Sequence, residues 1–250
     1  MQNETNLNQI LQKIPHGAVV TSSWLEMQGV SRSLRNAYKK NGWLKSFGTG
    51  AYSKLNDKVE MNGAIYALQE QLGISFHIGG ISALSLQGIN HNIAFNRKIF
   101  IYGYRGENIP SWFNNNYKNN IEIIKTEFLP KDIGLVTYSE KDFSIKISSI
   151  ERALLEMLYL IPKKNSLDEF IELIDTISVL NPKLMQELLE KCTNIKVKRV
   201  FLYVAEKTNF PWFRKIDTSN IDLGTGKRVI EQGGQLDKKY NIVVKKINII

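Results

Sequence analysis

The 250-residue sequence contains one cysteine, Cys192, which excludes an intrachain disulfide and a cysteine-built zinc cluster and suits a reducing cytoplasm. With Leu188 and Leu189 it falls on the apolar side of a predicted helix, where a free thiol behaves as a small hydrophobe. Histidine is scarce too. His16, His77 and His91 stand apart without metal-ligand spacing, so packing or surface roles are expected, with no metal and no cofactor. No uninterrupted apolar run approaches the ~20 residues that a membrane-spanning helix needs. Met1 to Gln12 carry neither a basic head nor a continuous apolar stretch, so no secretory signal is expected and the chain reads as cytoplasmic. Low-complexity tracts and internal repeats are missing, and no like-charge block is long enough to keep a segment solvated, which argues against disorder.

What is present suffices for buried cores in one or two domains: 43% of residues are hydrophobic and 10% aromatic. The formal net charge of +9 favours a polyanionic partner, although a membrane surface would satisfy the same balance. Placement decides more than the sum. Between Met27 and Asn56 there are six basic residues (Arg32, Arg35, Lys39, Lys40, Lys45, Lys54) and no acidic one.

Around that stretch the pattern is helical, then β. Leu7, Ile10, Leu11 and Ile14 repeat as one buried helix face, ended by Pro15 and Gly17. A short second helix starts near Thr21 to Ser23, with Ser23 and Glu26 as its capping box and Gly29 as its break. Ser31 caps a third helix reaching about Asn41. On its wheel Leu34, Ala37 and Tyr38 form the expected buried stripe, while Arg32, Arg35, Asn36, Lys39 and Lys40 fall opposite. Two helices joined at a glycine, the second basic with polar residues at its N-terminal end, make a helix-turn-helix. The segments 43–47 and 51–54, around Gly48-Thr49-Gly50, then read as a hairpin, the wing.

These residues divide by chemistry. Arg32, Ser33, Arg35 and Asn36 are the expected base readers, since Arg matches guanine and Asn adenine bidentately. Lys39, Lys40, Lys45 and Lys54 are expected on phosphates. Ser31 at the helix start, and Thr49 among wing amides open to phosphate, complete the set. A basic helix face is also what an ordinary solvated surface looks like. The charge asymmetry, the glycine break and the hairpin, in that order, favour DNA.

Beyond residue 57 the chain reads as a mixture. Met61 to Leu72 form a helical stripe, and Ile74, Phe76 and Ile78 a strand. Further strands are expected over Lys98 to Tyr104, Ile121 to Ile124 and Phe143 to Ile147, with Asn114 to Asn120 as an exposed loop. Helices follow from Ser148 with Glu151, Ser166 with Glu169, Asn181 with Pro182, and Val197 to Val204. The tail returns to strands around Ile221, Val229 and Ile242 to Val244. The fold class is α+β: a winged helix-turn-helix over 1–57, then a larger mixed α/β domain over 58–250.

Catalytic readings are weak. Gly224, Gly226 and Lys227 lack the phosphate-loop spacing and precede a strand, which favours a hairpin turn. Asp222, Asp237 and Lys239 have the residue types of a metal-dependent nuclease without its specific spacing. Trp112 and Trp212 are expected as core anchors. The basic tail, Lys238, Lys239, Lys245 and Lys246, would extend a DNA contact.

Several stretches occur together in an order seen elsewhere. They are Gly17-Ala18-Val19-Val20-Thr21-Ser22-Ser23-Trp24-Leu25, Gly42-Trp43-Leu44 with Gly50-Ala51-Tyr52, Gly63-Ala64-Ile65-Tyr66-Ala67-Leu68, and His77-Ile78-Gly79-Gly80-Ile81-Ser82-Ala83-Leu84. Later come Glu151-Arg152-Ala153-Leu154-Leu155-Glu156, and Gly226-Lys227-Arg228 with Gly233-Gly234. Through these the chain resembles AbiEi-type antitoxins, the regulator half of type IV toxin–antitoxin pairs in abortive infection. Ile150 departs from the proline expected before the Glu-Arg pair.

The resemblance implies a non-enzymatic repressor that binds inverted repeats in double-stranded DNA at its own operon, two copies per site. It implies a nucleotidyltransferase-like toxin as functional partner, without a required stable complex, a role in phage resistance, and a C-terminal domain required for neutralisation. Two rivals remain at this point: a winged helix that docks on protein, and a DNA-targeted metal-dependent nuclease.

Overall fold

The computed structural model describes residues 2–89, 98–177 and 179–245. His91 and Lys246 lie outside these. In chain order the first elements are α1 (Gln2–Lys13), β1 (Val20–Thr21), α2 (Ser22–Met27), α3 (Arg32–Lys40), β2 (Leu44–Gly48) and β3 (Ala51–Lys54). Next come α4 (Met61–Tyr66), continued by a π-helical turn over Ala67–Gln71, then β4 (His77–Ile78), α5 (Gly80–Leu86), β5 (Ile99–Gly103), α6 (Ser111–Tyr117) and β6 (Ile121–Lys125). The remainder is β7 (Leu135–Ser139), β8 (Ser144–Ser148), α7 (Ile150–Tyr159), α8 (Leu167–Asp175), α9 (Pro182–Lys191), α10 (Ile195–Lys207), β9 (Arg228–Val229), β10 (Gln235–Asp237) and β11 (Ile242–Val244). This is the mixed α and β architecture expected.

The chain divides into two compact units. One comprises Met1–His77, Ile101–Ile124 and Thr137–Lys146, and the other Ile78–Phe100, Lys125–Val136 and Ile147–Ile250. A five-stranded sheet runs in the order β6-β5-β4-β8-β7, with Ile78 of β4 parallel to Ile147 of β8.

In the first unit, Leu7, Ile10 and Ile14 bury against Val20, Leu25, Val30, Tyr38 and Leu44, as the spacing of α1 requires. Each such side chain taken fully out of water contributes about 1.5–3 kcal/mol. The cap of α2 is Thr21 and not Ser23: its Oγ1 accepts the Trp24 amide at 3.2 Å. Ser31 caps α3 as expected, accepting from the Leu34 amide at 3.3 Å. Between the two helices Gly29 sits at φ +80°, a left-handed turn that disfavours side chains. β2 and β3 pair antiparallel with a bulge between Ser46 and Gly48, and β1 adds to β3 through Val20↔Tyr52 and Thr21↔Ala51.

The first part of the Asn-rich run expected as a loop, through Tyr117, belongs to α6, and 118–120 form a turn. Trp112 and Phe113 are buried and Tyr117 half-buried on one side, and packing of that side overrides the poor helix propensity of Asn.

In the second unit α7 is central, with every residue from Glu151 to Leu158 buried, and it packs on α5, α8, α9 and α10. Its cap is Ser149, whose Oγ accepts the Arg152 amide at 3.3 Å, one residue later than the capping box predicted. Ser148 instead donates to the Glu156 carboxylate at 2.7 Å, and Glu151 accepts from the Asn181 amide at 2.7 Å. Arg152 Nε pairs with Glu156 at 2.8 Å and its Nη1 donates to the carbonyls of Pro130 and Ile133, so this buried cation has a carboxylate and two carbonyls as acceptors. A small sheet of order β10-β11-β9 closes the chain. Ile221 is buried beside a 3-10 turn and is not in a strand.

Candidate nucleic-acid interface

The outward face of α3 carries Arg32, Ser33, Asn36, Lys39 and Lys40, all exposed, with Ser31 exposed at its cap. Ser31 Oγ and Ser33 Oγ lie 2.8 Å apart, which holds two hydroxyls together at the helix N-terminal end.

Arg35 is the correction. The wheel put it on the basic face, yet it is 5% exposed. Its Nη2 meets the Glu26 carboxylate at 2.8 Å and its Nη1 donates to the Val30 carbonyl at 3.0 Å. The buried stripe is centred on Tyr38, so it takes in Arg35 on one side and leaves Ala37 exposed on the other. A guanidinium can enter here because a carboxylate on α2 and a carbonyl of the turn accept its protons. Arg35 therefore clamps α2 and α3 together behind the exposed face of α3.

The wing lysines are also engaged. Lys45 Nζ donates to the Asp57 carbonyl at 2.8 Å, and Lys54 Nζ to the Ile14 carbonyl at 2.9 Å, just past the end of α1. Both are half-buried at the open end of the hairpin, whereas Thr49 is exposed at its turn. Sequence reasoning missed two supports. Asp57, buried, accepts the Gly17 amide at 2.8 Å and lies 3.2 Å from His16. Gln71 accepts from the Thr21 amide and donates to the Val19 carbonyl, each at 2.8 Å, so its amide acts as a strand partner for β1. Neither leaves a periodic signal that a pattern scan detects.

The other singled-out residues occupy turns and cores. Asp222 Oδ1 accepts from the Gly224 amide at 2.7 Å and Asp237 Oδ1 from the Tyr240 amide at 2.9 Å, while Lys239 pairs with Glu206. The loop at Gly224 and Gly226 is held by Arg199, which donates to the carbonyls of both and to those of Leu223 and Asn241. Among the described residues no group of three or more His, Cys, Asp and Glu side chains is placed to hold a metal ion. His77 is buried, stacks on Tyr102 and has Nδ1 at 3.1 Å from the Ser75 carbonyl. Trp112 and Trp212 are buried, as anchors should be. In the tail Lys238 is exposed, but Lys245 pairs with Asp168 at 3.0 Å. No helix among the described residues is long and apolar enough to cross a membrane.

Comparison with known families decides the assignment. Residues 3–95 match the family described as "Transcriptional regulator, AbiEi antitoxin N-terminal domain", and residues 96–245 the one described as "Transcriptional regulator, AbiEi antitoxin, Type IV TA system". The chain belongs to the AbiEi antitoxins. As an AbiEi antitoxin it is a transcriptional regulator of a type IV toxin–antitoxin system. Its fold is similar to the crystal structure of the RV2827C protein from Mycobacterium tuberculosis, with a TM-score of 0.59 over 94% of this chain and 88% of that one. At 12% identity this likeness concerns the fold alone. No curated protein matches this AbiEi chain.

Proposed function

We propose that this antitoxin represses its own operon by binding inverted repeats in double-stranded DNA, one chain per half-site, and that it does so without catalysis. The observation that carries the reading is the exposed face of α3: two basic side chains at its end, an arginine, a serine and an asparagine at its start, and no acid among them. Arg32, Ser33 and Asn36, beside Ser31, are the base readers of this proposal. Lys39 and Lys40 neutralise phosphates, and Thr49 meets the backbone from the wing turn. Arg35 acts through α3 as a positioning residue, and Lys45 and Lys54 brace the wing. Residues 1–57 read the DNA, and residues 58–250 serve neutralisation of a nucleotidyltransferase-like toxin that need not be held in a stable complex.

A mobility-shift titration with the DNA upstream of its own gene, against unrelated competitor, tests this. Tight binding that competitor does not displace is expected. In the double variant Arg32→Ala, Asn36→Ala it should fall to the level of non-specific binding. Absence of a specific shift, with the winged helix capturing the toxin instead, overturns the reading. Plasmid cleaved in magnesium or manganese overturns its non-enzymatic part.

A further inference from the structure

We propose that α6 is a further element of the DNA interface, laid against the wing and contacting the duplex beyond the reach of α3. The proposal rests on the reading of α3 and the wing as DNA-binding, and extends the DNA contact beyond residues 1–57 into the part otherwise assigned to neutralisation.

The first ground is placement. The Trp112 ring meets Phe47 of β2 edge-on at 6.1 Å, Tyr117 lies 6.4 Å from the same ring, and Asn116 Nδ2 donates to the Phe47 carbonyl at 3.0 Å. At Gly48, the last residue before the wing turn, a Cβ would stand 2.6 Å from Trp112 Cβ, so the start of α6 touches the hairpin backbone itself. The helix is thereby fixed along the first strand of the wing.

The second ground is chemistry. Ser111, Asn114, Asn115 and Lys118 are exposed and spaced i, i+3, i+4, i+7, one outward stripe that begins beside the wing turn. None of the four makes a side-chain hydrogen bond to a described residue. Five of the seven residues from Asn114 to Asn120 are asparagine, and no carboxylate occurs from Asn108 to Ile121. Asparagine is a poor helix former, so helix stability does not account for this choice. A merely solvated face mixes both charge signs, and a protein-docking face carries apolar anchors. Amides that both donate and accept, with one cation and no anion, match a groove edge and its phosphates. A seven-residue helix spans about 10 Å, or about three base pairs of duplex.

Hydroxyl-radical footprinting and salt-titrated affinity on the upstream DNA provide the test, with the triple variant Asn114→Ala, Asn115→Ala, Lys118→Ala. Its footprint should retract by about three base pairs on the wing side. Affinity should fall about tenfold, and the salt slope should drop by about 0.9 for the lost cation. Lys118→Arg should restore the slope, and Lys118→Ala alone carries the test if the triple variant melts early. The double variant Arg32→Ala, Asn36→Ala separates the two ideas. If it binds like the wild type, the reading of α3 fails whatever α6 does. If it loses specific binding while the α6 variants keep the wild-type footprint, affinity and slope, α6 is not part of the interface.

Discussion

Arg35 on α3 reaches back to Glu26 on α2, with Nη2 and the carboxylate 2.8 Å apart, and the two ends of this pair live in different environments: the arginine side chain is 6% exposed and the glutamate 59%. Removing them should therefore not cost the same. Glu26→Ala leaves a buried cation with only the Val30 carbonyl, whereas Arg35→Met leaves a carboxylate that water already solvates. We expect Glu26→Ala to destabilise by about 2–3 kcal/mol and Arg35→Met by about 1 kcal/mol. Urea titration of both variants checks the order, and a larger loss in Arg35→Met would refute the clamp.

The two pairs of lysines should separate in a salt titration of DNA binding. Lys39 and Lys40 are exposed on α3, so replacing each by Ala should lower the slope of log affinity against log salt by about 0.9. Lys45 and Lys54 already donate to carbonyls, so their Ala variants should change the slope little and instead cost about 1 kcal/mol of stability each. Equal slope changes at all four positions would return Lys45 and Lys54 to the phosphates.

Much of the winged helix was legible in the sequence because its signals are local: the i, i+3, i+4, i+7 stripe of α1, the Ser31 cap, the glycines at 29, 48 and 50. Arg35 was misplaced for a physical reason. A helical wheel assigns charge to solvent, and only the partners across the fold, Glu26 and the Val30 carbonyl, let a guanidinium turn inward. The caps at Thr21 and Ser149 were missed because adjacent hydroxyls are equivalent in sequence, and only backbone geometry selects one. Asn114 to Asn120 reads as a loop because asparagine favours turns, while Phe47 and Gly48, which hold Trp112 of α6 in place, lie more than sixty residues earlier. β7, half-exposed at the sheet edge, shows no clean alternation.

Cys192 should be chemically silent in the folded protein. Burial pushes its thiol up to about 11, and Sγ sits 3.6 Å from the Asn194 carbonyl. At pH 8 only about one molecule in a thousand then carries a thiolate, and access is closed as well. An aromatic disulfide reagent should label the native protein only through opening, far more slowly than it labels the chain unfolded in urea. Stoichiometric reaction within seconds under native conditions would contradict this.

Gly48→Ala tests the seam between the wing and α6. The residue has φ +146° and no room for a methyl, since Trp112 Cβ would be 2.6 Å away. Both strain and overlap act against the variant, so a loss of about 3 kcal/mol is expected. Phe47→Leu, which keeps the apolar contact but loses the edge-on ring, should cost only about 1 kcal/mol. Thermal melts of the two variants give the ratio, and a tolerant Gly48→Ala would show that α6 can lift from the hairpin.

The last expectation concerns pH. Burial holds the Lys196 ammonium down at about 8, and the nearby charge of Lys163 acts in the same direction. An unfolded lysine keeps its proton to about 10.4. Between these values the unfolded chain binds more protons than the folded one, so stability rises with pH. The contribution is complete above about 10.4, declines as pH falls toward 8, and stays constant below. The neutral amine retains two N–H bonds, enough for both of its acceptors, the carbonyls of Tyr159 and Ile161 at 2.9 and 2.5 Å. Deprotonation therefore relieves the buried charge without leaving a carbonyl unpaired. Urea midpoints of the wild type and Lys196→Met, measured at pH 7.5 and 9.5, isolate this group. The wild type should gain on the variant at the higher pH, and a difference that stays constant or shrinks would mean that water reaches the ammonium.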